Sequence, residues 1–194
     1  MPSSYPENIP AIIQAIAKLK PKSVLDIGIG RGKYGFLIRE YFPPTKEREK
    51  IYDDSASPIK PMGWEEILTV DGVEVFEPYI TDLQKKIYNQ IFIGNVLEMD
   101  IEKWEPHDLY LLIDVIEHWE RKKTMELIEK LIKKGNILIS TPRSYTPQRA
   151  SYGNKWEEHL TEYEGHPWTA DDFNMYPLED ISNNISLMLI LLKQ

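Results

Sequence analysis

The chain has 194 residues, of which 42% are hydrophobic and 28% charged, and this predicts one globular domain with a sizeable core. Its formal net charge of -8 argues against nucleic-acid binding through a broad basic surface, so no nucleic-acid partner is expected. The lack of cysteine excludes disulfides and thiolate metal sites, and the four histidines show no metal-ligand spacing, so no metal is expected.

The apolar runs of the sequence are short. The longest, Leu187 to Leu192, is far below the roughly 18 residues that a membrane helix requires. The opening stretch MPSSYPENIP lacks the charged region and apolar core of a secretory signal. We therefore expect a cytoplasmic protein without a membrane partner.

The first third of the chain predicts a helix, a strand and a second helix. Apolar residues recur at helical intervals from Ile9 to Leu19, and Pro21 ends that helix. Ser23 to Ile27 is typical of a short buried strand, and Tyr34 to Tyr41 is typical of a helix. The residues from about 43 to 66 are rich in Pro, Lys, Glu and Asp, which predicts an inserted surface loop.

The next segment, Ile67 to Phe76, is apolar and β-branched around Asp71-Gly72. That pair on its own predicts a type I′ hairpin, and the alternative is one strand that continues through Gly72. In both cases a strand ends just after Glu74. Further predicted elements are a helix at Tyr79 to Tyr88, a strand at Gln90 to Val96, a strand at Asp108 to Ile113, a helix at Thr124 to Lys134 and a strand at Asn136 to Ser140.

The last quarter of the chain contains a long loop and a hairpin. A polar and aromatic segment covers residues 142–168, and a short helix follows with Thr169 as its N-cap. Tyr176 to Ile181 and Ile185 to Leu192 flank a turn and predict two antiparallel strands. Because the earlier strands are apolar on both faces and alternate with helices, the predicted fold class is α/β, with a doubly wound, mostly parallel sheet.

The stretch VLDIGIGRGKYG, Val24 to Gly35, places four glycines directly after the first strand. Glycines there let the backbone approach a ligand at the carboxyl edge of the sheet. Gly30, Gly32 and Gly35 fit the dinucleotide pattern GxGxxG, whereas a second pattern begins at Gly28. Because such patterns normally begin where the strand ends, the second is favoured.

VLDIGIGRG resembles the first motif of the class I S-adenosylmethionine-dependent methyltransferases, which has an apolar strand, an acid and GxGxG. A carboxylate at Asp26 suits a ligand that carries a sulfonium and an ammonium but no pyrophosphate. LLIDVIEH, Leu111 to His118, resembles the family's D-V-hydrophobic-E-H stretch. The resemblance implies a Rossmann-like methyltransferase fold with seven strands and a C-terminal antiparallel hairpin over a single domain, residues 1–194, with S-adenosylmethionine as cofactor.

The resemblance also implies which residues bind the cofactor. At the ends of the second and third strands, Glu74 would accept hydrogen bonds from the ribose hydroxyls and Asn95, in place of the family's usual acid, from the adenine amino group. Glu77 competes with Glu74 but lies past the strand. The implied cofactor-binding residues are Asp26, Gly28, Ile29, Gly30, Gly32, Glu74, Val75, Asn95, Val96, Asp114 and Val115.

Methyl transfer from a sulfonium is an in-line displacement, in which proximity and alignment supply most of the catalysis. For a hydroxyl acceptor a general base is useful, and the candidates are His118 and His159. The alternative for His118 is a structural role beside Asp114. The segment from Arg143 to Trp168 is expected to form the acceptor pocket, the alternative being an aromatic segment packed on the sheet edge.

The predicted function is therefore methyl transfer from S-adenosylmethionine to a small-molecule acceptor. A small molecule is favoured because the single domain leaves no separate domain to grip a macromolecule. Two alternatives stay open. One is a nicotinamide-dependent oxidoreductase, which the position of the glycines and DVIEH disfavour. The other is a non-catalytic S-adenosylmethionine-binding protein that acts through a partner, which Asn95 leaves open.

Overall fold

The computed structural model describes residues 4–44, 66–144, 147–151, 153–160 and 167–193. The insertion predicted at about 43–66 lies almost wholly outside the described residues. The helices are α1 (Ile9–Leu19), α2 (Lys33–Tyr41), α3 (Asp82–Ile87) and α4 (Arg121–Ile132), and the strands are β1 (Ser23–Ile27), β2 (Thr69–Glu74), β3 (Ile91–Ile93), β4 (Leu109–Ile113), β5 (Asn136–Pro142), β6 (Leu178–Asp180) and β7 (Ser186–Leu191).

Seven strands of the described part of the chain form one sheet, in the order β3-β2-β1-β4-β5-β7-β6. The first five strands of that order pair in parallel, whereas β7 is antiparallel to both β5 and β6. The predicted α/β fold class and the C-terminal antiparallel hairpin are confirmed. The parallel strands bring their carboxyl ends to one edge of the sheet, where such folds bind ligands.

Helices cover both faces of this sheet. Helices α1, α2 and α3 pack on one face, around a core that includes Ile12, Ile38 and Ile87. Helix α4 packs on the other face together with a 3₁₀ helix at Ala170–Phe173, which Thr169 caps as predicted. Among the described residues, no helix has the length and apolar character needed to cross a membrane.

Asp71-Gly72 does not form a hairpin, and β2 continues through it as one strand paired with β1. A Cβ at Gly72 would lie 2.8 Å from Ile29 Cγ2 and 3.1 Å from Tyr88 Cδ1. The glycine therefore makes room for two packed side chains. The glycine that suggested a turn in the sequence is thus explained by side-chain packing against the strand.

The helix predicted at Tyr79 to Tyr88 is divided in two. A 3₁₀ helix covers Glu77–Tyr79, and α3 begins only after Thr81, whose hydroxyl accepts from the Leu83 amide at 3.3 Å. The Gln84 side chain accepts from the Thr81 amide at 3.0 Å and completes a capping box. The cap fixes the start of α3 three residues later than the apolar pattern predicts.

Candidate functional site

A cavity of about 540 Å³ opens at the carboxyl edge of the sheet, within the size range of small-molecule sites. Among the sequence-predicted site residues, Asp26 and Gly32 do not line it. Those that do are Gly28, Ile29, Gly30, Glu74, Val75, Asn95, Val96, Asp114, Val115, His118 and His159. The fold thus brings together residues from the ends of β1, β2, β3 and β4 and from the loop after β5.

The glycine loop rests on the end of β2. The amides of Gly28 and Ile29 both donate to the Val73 carbonyl, at 2.9 and 3.1 Å. Gly28 has φ 79°, and a Cβ there would lie 2.4 Å from Val115 Cγ2. The first glycine of the motif is therefore required both by its backbone conformation and by its close contact with the residue after Asp114.

Glu74 links β2 to the glycine loop through both carboxylate oxygens. Oε2 accepts from the Gly30 amide and Oε1 from the Phe76 amide, each at 2.8 Å. Burial raises the pKa of this carboxyl, and the two amide bonds oppose the rise. Each oxygen keeps a further lone pair for a ligand in the cavity. Glu77, the competing candidate, is exposed and does not line this cavity.

Asp26 supports the loop from behind instead of facing the cavity. It is 3% exposed, and its Oδ2 accepts from the Tyr88 hydroxyl at 2.6 Å. Burial raises its pKa to about 6, while the Tyr88 bond opposes the rise. A Cβ at Gly35 would lie 2.4 Å from Tyr88 Cζ, so the last glycine of the stretch makes room for this ring.

Asn95 closes the end of β3. Its Oδ1 accepts from the Leu97 amide at 3.1 Å and caps a 3₁₀ helix at Val96–Glu98. Its Nδ2 donates to Glu98 Oε1 at 3.0 Å. The amide oxygen therefore keeps a single lone pair for a ligand.

Asp114 follows β4 in a left-handed backbone conformation, with φ 51°. Its amide donates to the Ser140 carbonyl at 2.7 Å, and its Oδ1 accepts from the Ser140 hydroxyl at 3.2 Å. Burial raises its pKa to about 6, while Ser140 and the Lys33 charge oppose the rise. A non-glycine residue held in this conformation at a cavity is typical of a functional site.

Lys33 fixes the N-terminal segment over the cavity. Its Nζ donates to the Ser4 carbonyl at 2.6 Å and lies 3.2 Å from the Ser4 hydroxyl, which is also bonded to the Tyr34 hydroxyl at 2.8 Å. Ser4, Tyr5 and Pro6 line the cavity as a result. The sequence gives no signal for this contact beyond a lysine next to a glycine loop. Arg31 is exposed at the cavity rim.

The cavity is also lined by Glu117, His118 and His159. The two imidazole rings lie edge to face with 4.8 Å between centroids, and His118 Nδ1 is 3.1 Å from the Glu158 carbonyl. Burial and the neighbouring His159 lower the pKa of His118 to about 4. One ligand atom from each residue lies within 4.8 Å of the other two, a grouping that can hold a metal ion. Sequence spacing missed it because His159 comes from a distant segment.

Glu157 helps to hold residues 147–151 and 153–160 in place. Its Oε1 accepts from the Tyr79 hydroxyl at 2.8 Å, and its carbonyl accepts from Gln148 Nε2 at 2.6 Å. The Leu160 amide donates to the Glu117 carbonyl at 2.9 Å, which fixes the segment beside the 3₁₀ helix at Ile116–His118. No motif in the sequence singled out Glu157 or Tyr79.

The aromatic residues of the loop after β5 have different positions. Trp156 lines the cavity together with Trp119. Trp168 is instead buried, stacked on Phe173, with the Arg121 guanidinium 4.2 Å from its ring centroid. Outside the described residues lie Tyr145, Tyr152, Tyr163 and His166.

Solved structures resemble this chain over nearly its whole length. The N-terminal domain of EvdMO1, solved in the presence of SAH and D-fucose, has a TM-score of 0.61 and 12% identity, covering 99% of this chain and 85% of that one. Magnesium protoporphyrin IX methyltransferase (ChlM) from Synechocystis PCC 6803, with bound SAM, has a TM-score of 0.51 and 14% identity, covering 97% and 77%. The chain has the class I methyltransferase fold.

Another solved structure with this fold bears on the expected partners. An rRNA methylase from Escherichia coli matches with a TM-score of 0.50 and 14% identity, covering 97% of this chain and 64% of that one. The expectation that nucleic acid is not a partner therefore gains no support from the comparisons. No protein-family model and no curated protein match the chain.

Proposed function

We propose that the protein is an S-adenosylmethionine-dependent methyltransferase with a small-molecule acceptor. The observation that carries the proposal is the convergence of the glycine loop, Glu74, Asn95 and Asp114 on one cavity, at the carboxyl edge of a methyltransferase fold. Two structures that resemble this chain were solved with SAM or in the presence of SAH, which supports the same cofactor here.

The residues that line the cavity fit this cofactor. The Gly28 to Gly30 backbone leaves room for a ligand, and Glu74 keeps a lone pair on each oxygen for the ribose hydroxyls. Asn95 and Val96 would border the adenine, with a hydrogen bond to the Asn95 oxygen. Asp114 would face the methionine ammonium. Asp26 acts indirectly, by holding Tyr88 beneath the loop.

Carboxylates dominate the charge around the cavity. Four acids line it, namely Glu74, Asp114, Glu117 and Glu157, against the two bases Arg31 and Lys33. Lys33 is already engaged by Ser4. An excess of negative charge favours a cationic sulfonium and repels a pyrophosphate, so the cavity supports S-adenosylmethionine over a nicotinamide dinucleotide.

When bound, the cofactor supplies a methyl group on a sulfonium sulfur for in-line displacement. Positioning of the two reactants can contribute about 7 to 11 kcal/mol. We propose that His118 and His159, with Trp119 and Trp156, form the acceptor end of the cavity. Burial and the neighbouring His159 lower the pKa of His118 to about 4, so its imidazole is uncharged at neutral pH.

Titration calorimetry tests the cofactor. We expect saturable binding of S-adenosylmethionine and S-adenosylhomocysteine, one per chain, and no binding of NADH. Saturable NADH binding with no response to either adenosyl ligand would overturn the proposal in favour of an oxidoreductase.

A turnover assay tests the reaction and the acceptor class. The protein is incubated with S-adenosylmethionine and either the low-molecular-weight fraction or the RNA fraction of a cell extract, and S-adenosylhomocysteine is quantified. Release with the small-molecule fraction is expected. Release only with RNA would contradict the small-molecule acceptor, and cofactor binding without release from either fraction would favour the non-catalytic alternative.

A further inference from the structure

Three side chains of metal-ligand type meet at the acceptor end of the cavity: Glu117, His118 and His159. Their ligand atoms lie within 4.8 Å of one another. The centre of an equilateral triangle with 4.8 Å sides is about 2.8 Å from each corner. Shifts of less than about 1 Å therefore bring all three atoms to a common ion at the usual bond length of roughly 2.0 to 2.2 Å.

The hydrogen bonds around this cluster suit a metal site. A carbonyl oxygen only accepts, so the 3.1 Å contact from His118 Nδ1 to the Glu158 carbonyl places the proton on Nδ1 and leaves the Nε2 lone pair for a ligand. Metal-binding histidines commonly donate their second ring N–H to a backbone carbonyl in this way. Glu117 is 5% exposed, and the Thr141 hydroxyl donates to its Oε2 at 3.1 Å, which orients the carboxylate.

We propose that Glu117, His118 and His159 bind one divalent first-row transition-metal ion, which holds the hydroxyl oxygen of the acceptor. Two imidazoles and one carboxylate suit Mn²⁺, Fe²⁺, Co²⁺ or Zn²⁺, whereas Mg²⁺ favours an all-oxygen shell. Three protein ligands leave positions open, as in catalytic metal sites. The cluster lines the same cavity as the glycine loop. The role toward the acceptor rests on the proposed function, but metal binding itself does not.

The resulting reaction class is O-methylation. The ion lowers the pKa of the acceptor hydroxyl, whose proton leaves to water. An oxygen lone pair then forms the new O–C bond while the C–S bond breaks, and the electron pair of that bond goes to sulfur. The products are the methyl ether, neutral S-adenosylhomocysteine and the released proton.

Cobalt titration tests the site directly. Co²⁺ added to the full chain without any adenosyl ligand should bind at one per chain, with visible absorption bands of a low-symmetry nitrogen and oxygen site. Glu117→Gln, His118→Gln and His159→Gln should each weaken binding at least tenfold. Mg²⁺ at the same concentrations should give no saturable signal. No saturable Co²⁺ binding by the wild type would overturn the proposal.

Matched variants separate ligand loss from loss of structure. His107→Gln and Glu120→Gln make the same changes away from the cavity, and both should keep wild-type Co²⁺ affinity. Far-UV circular dichroism verifies the fold of each variant. If a histidine variant fails to fold, Glu117→Asp serves in its place, since it keeps the charge and shortens the side chain. Wild-type affinity in Glu117→Gln and in every folded histidine variant would contradict the site.

Catechol, which carries two hydroxyl groups, serves as a probe of the coordination positions of the ion that the protein leaves open. It should change the Co²⁺ absorption spectrum of the wild type, and an unchanged spectrum would overturn the acceptor role. S-adenosylhomocysteine binding is measured separately without metal. Cobalt binding with no adenosyl binding would contradict the proposed function and leave the metal site standing, whereas the reverse result would contradict the metal site alone.

Discussion

The two ends of the cavity are built in different ways. At the glycine-loop end, adjacent strands of the sheet hold one another, as in the Glu74 bond to the Gly30 amide. At the acceptor end, Glu117 and His118 lie beside His159 because residues 153–160 fold back onto them, held by the bonds of Glu157 and Leu160. The parallel sheet thus builds the proposed cofactor end, and a segment that folds back after β5 completes the proposed acceptor end.

Gly28→Ala should cause the largest loss at the cofactor end. The left-handed conformation costs alanine about 1 to 2 kcal/mol, and the contact with Val115 adds an overpacking cost of about 1 to 3 kcal/mol. We expect the free energy of unfolding to fall by about 2 to 5 kcal/mol in urea denaturation. Gly153→Ala is the control, because Gly153 has φ 73° with open space around it, and it should lose only the first part. Equal losses of unfolding free energy in the two variants would show that the contact with Val115 adds no cost.

Asp26 makes the stability of the cofactor end depend on pH. Its ordinary pKa is 3.8 and its folded pKa is about 6, so the folded chain binds more protons between these values. The free energy of unfolding should therefore fall as pH rises through this window, by about 3 kcal/mol for this one group. Relative to that of Asp26→Asn, the free energy of unfolding of the wild type should fall by most of that amount between pH 4 and pH 7. Parallel pH profiles for the two proteins would contradict this assignment.

Glu74→Ala should weaken S-adenosylhomocysteine binding by roughly 1.5 to 3 kcal/mol, the usual range for hydrogen bonds to a charged group. The substitution removes the carboxylate oxygens that would accept hydrogen bonds from the ribose hydroxyls. It also removes the hydrogen bond from the Gly30 amide. Calorimetry on Glu77→Ala, an exposed neighbour, should give wild-type affinity. An unchanged affinity in Glu74→Ala would assign the ribose contact to another residue.

The smallest expected effect is that of Lys33→Met, which removes the lysine bond to the Ser4 carbonyl and leaves the bond between the Ser4 and Tyr34 hydroxyls. Since the lysine is partly exposed, we expect a loss of about 1 kcal/mol in adenosyl-ligand affinity. Lys18→Met removes an exposed lysine that pairs with Glu179, far from the cavity, and should have no effect. If both variants bind the adenosyl ligand as the wild type does, the N-terminal segment does not contribute to that affinity.

Most of the residues predicted to bind the cofactor line one cavity, because they lie next to strand ends. The bounds of α1 and β1 match the prediction, and Gly28, Glu74 and Asp114 line the cavity. Side-chain direction was harder to predict. Asp26 is on the strand face toward Tyr88, so an acid in the motif turned out to be a buried support.

The sequence predicted His118 and His159 as acceptor-side residues, and both line the cavity, but the contacts that hold them together were not predicted. Glu157 and Tyr79 interact only after the loop folds back, and no local pattern encodes a contact between segments so far apart. The grouping of Glu117 and His118 with His159 was missed for the same reason. The expectation of no metal rested only on the spacing of the histidines along the sequence. At Asp71-Gly72 the sequence left a hairpin and a continuous strand open, and the structure has the continuous strand, with Gly72 packed close to Ile29 and Tyr88.

A crystal structure of the protein with S-adenosylhomocysteine bound is the most direct test of whether the cavity has separate cofactor and acceptor ends. We expect the ribose hydroxyls on Glu74, the adenine beside Asn95, and the sulfur directed toward Glu117 and His159. A ligand with its ribose away from Glu74, or one that occupies the space around His118 and His159, would contradict the separation of a cofactor end from an acceptor end.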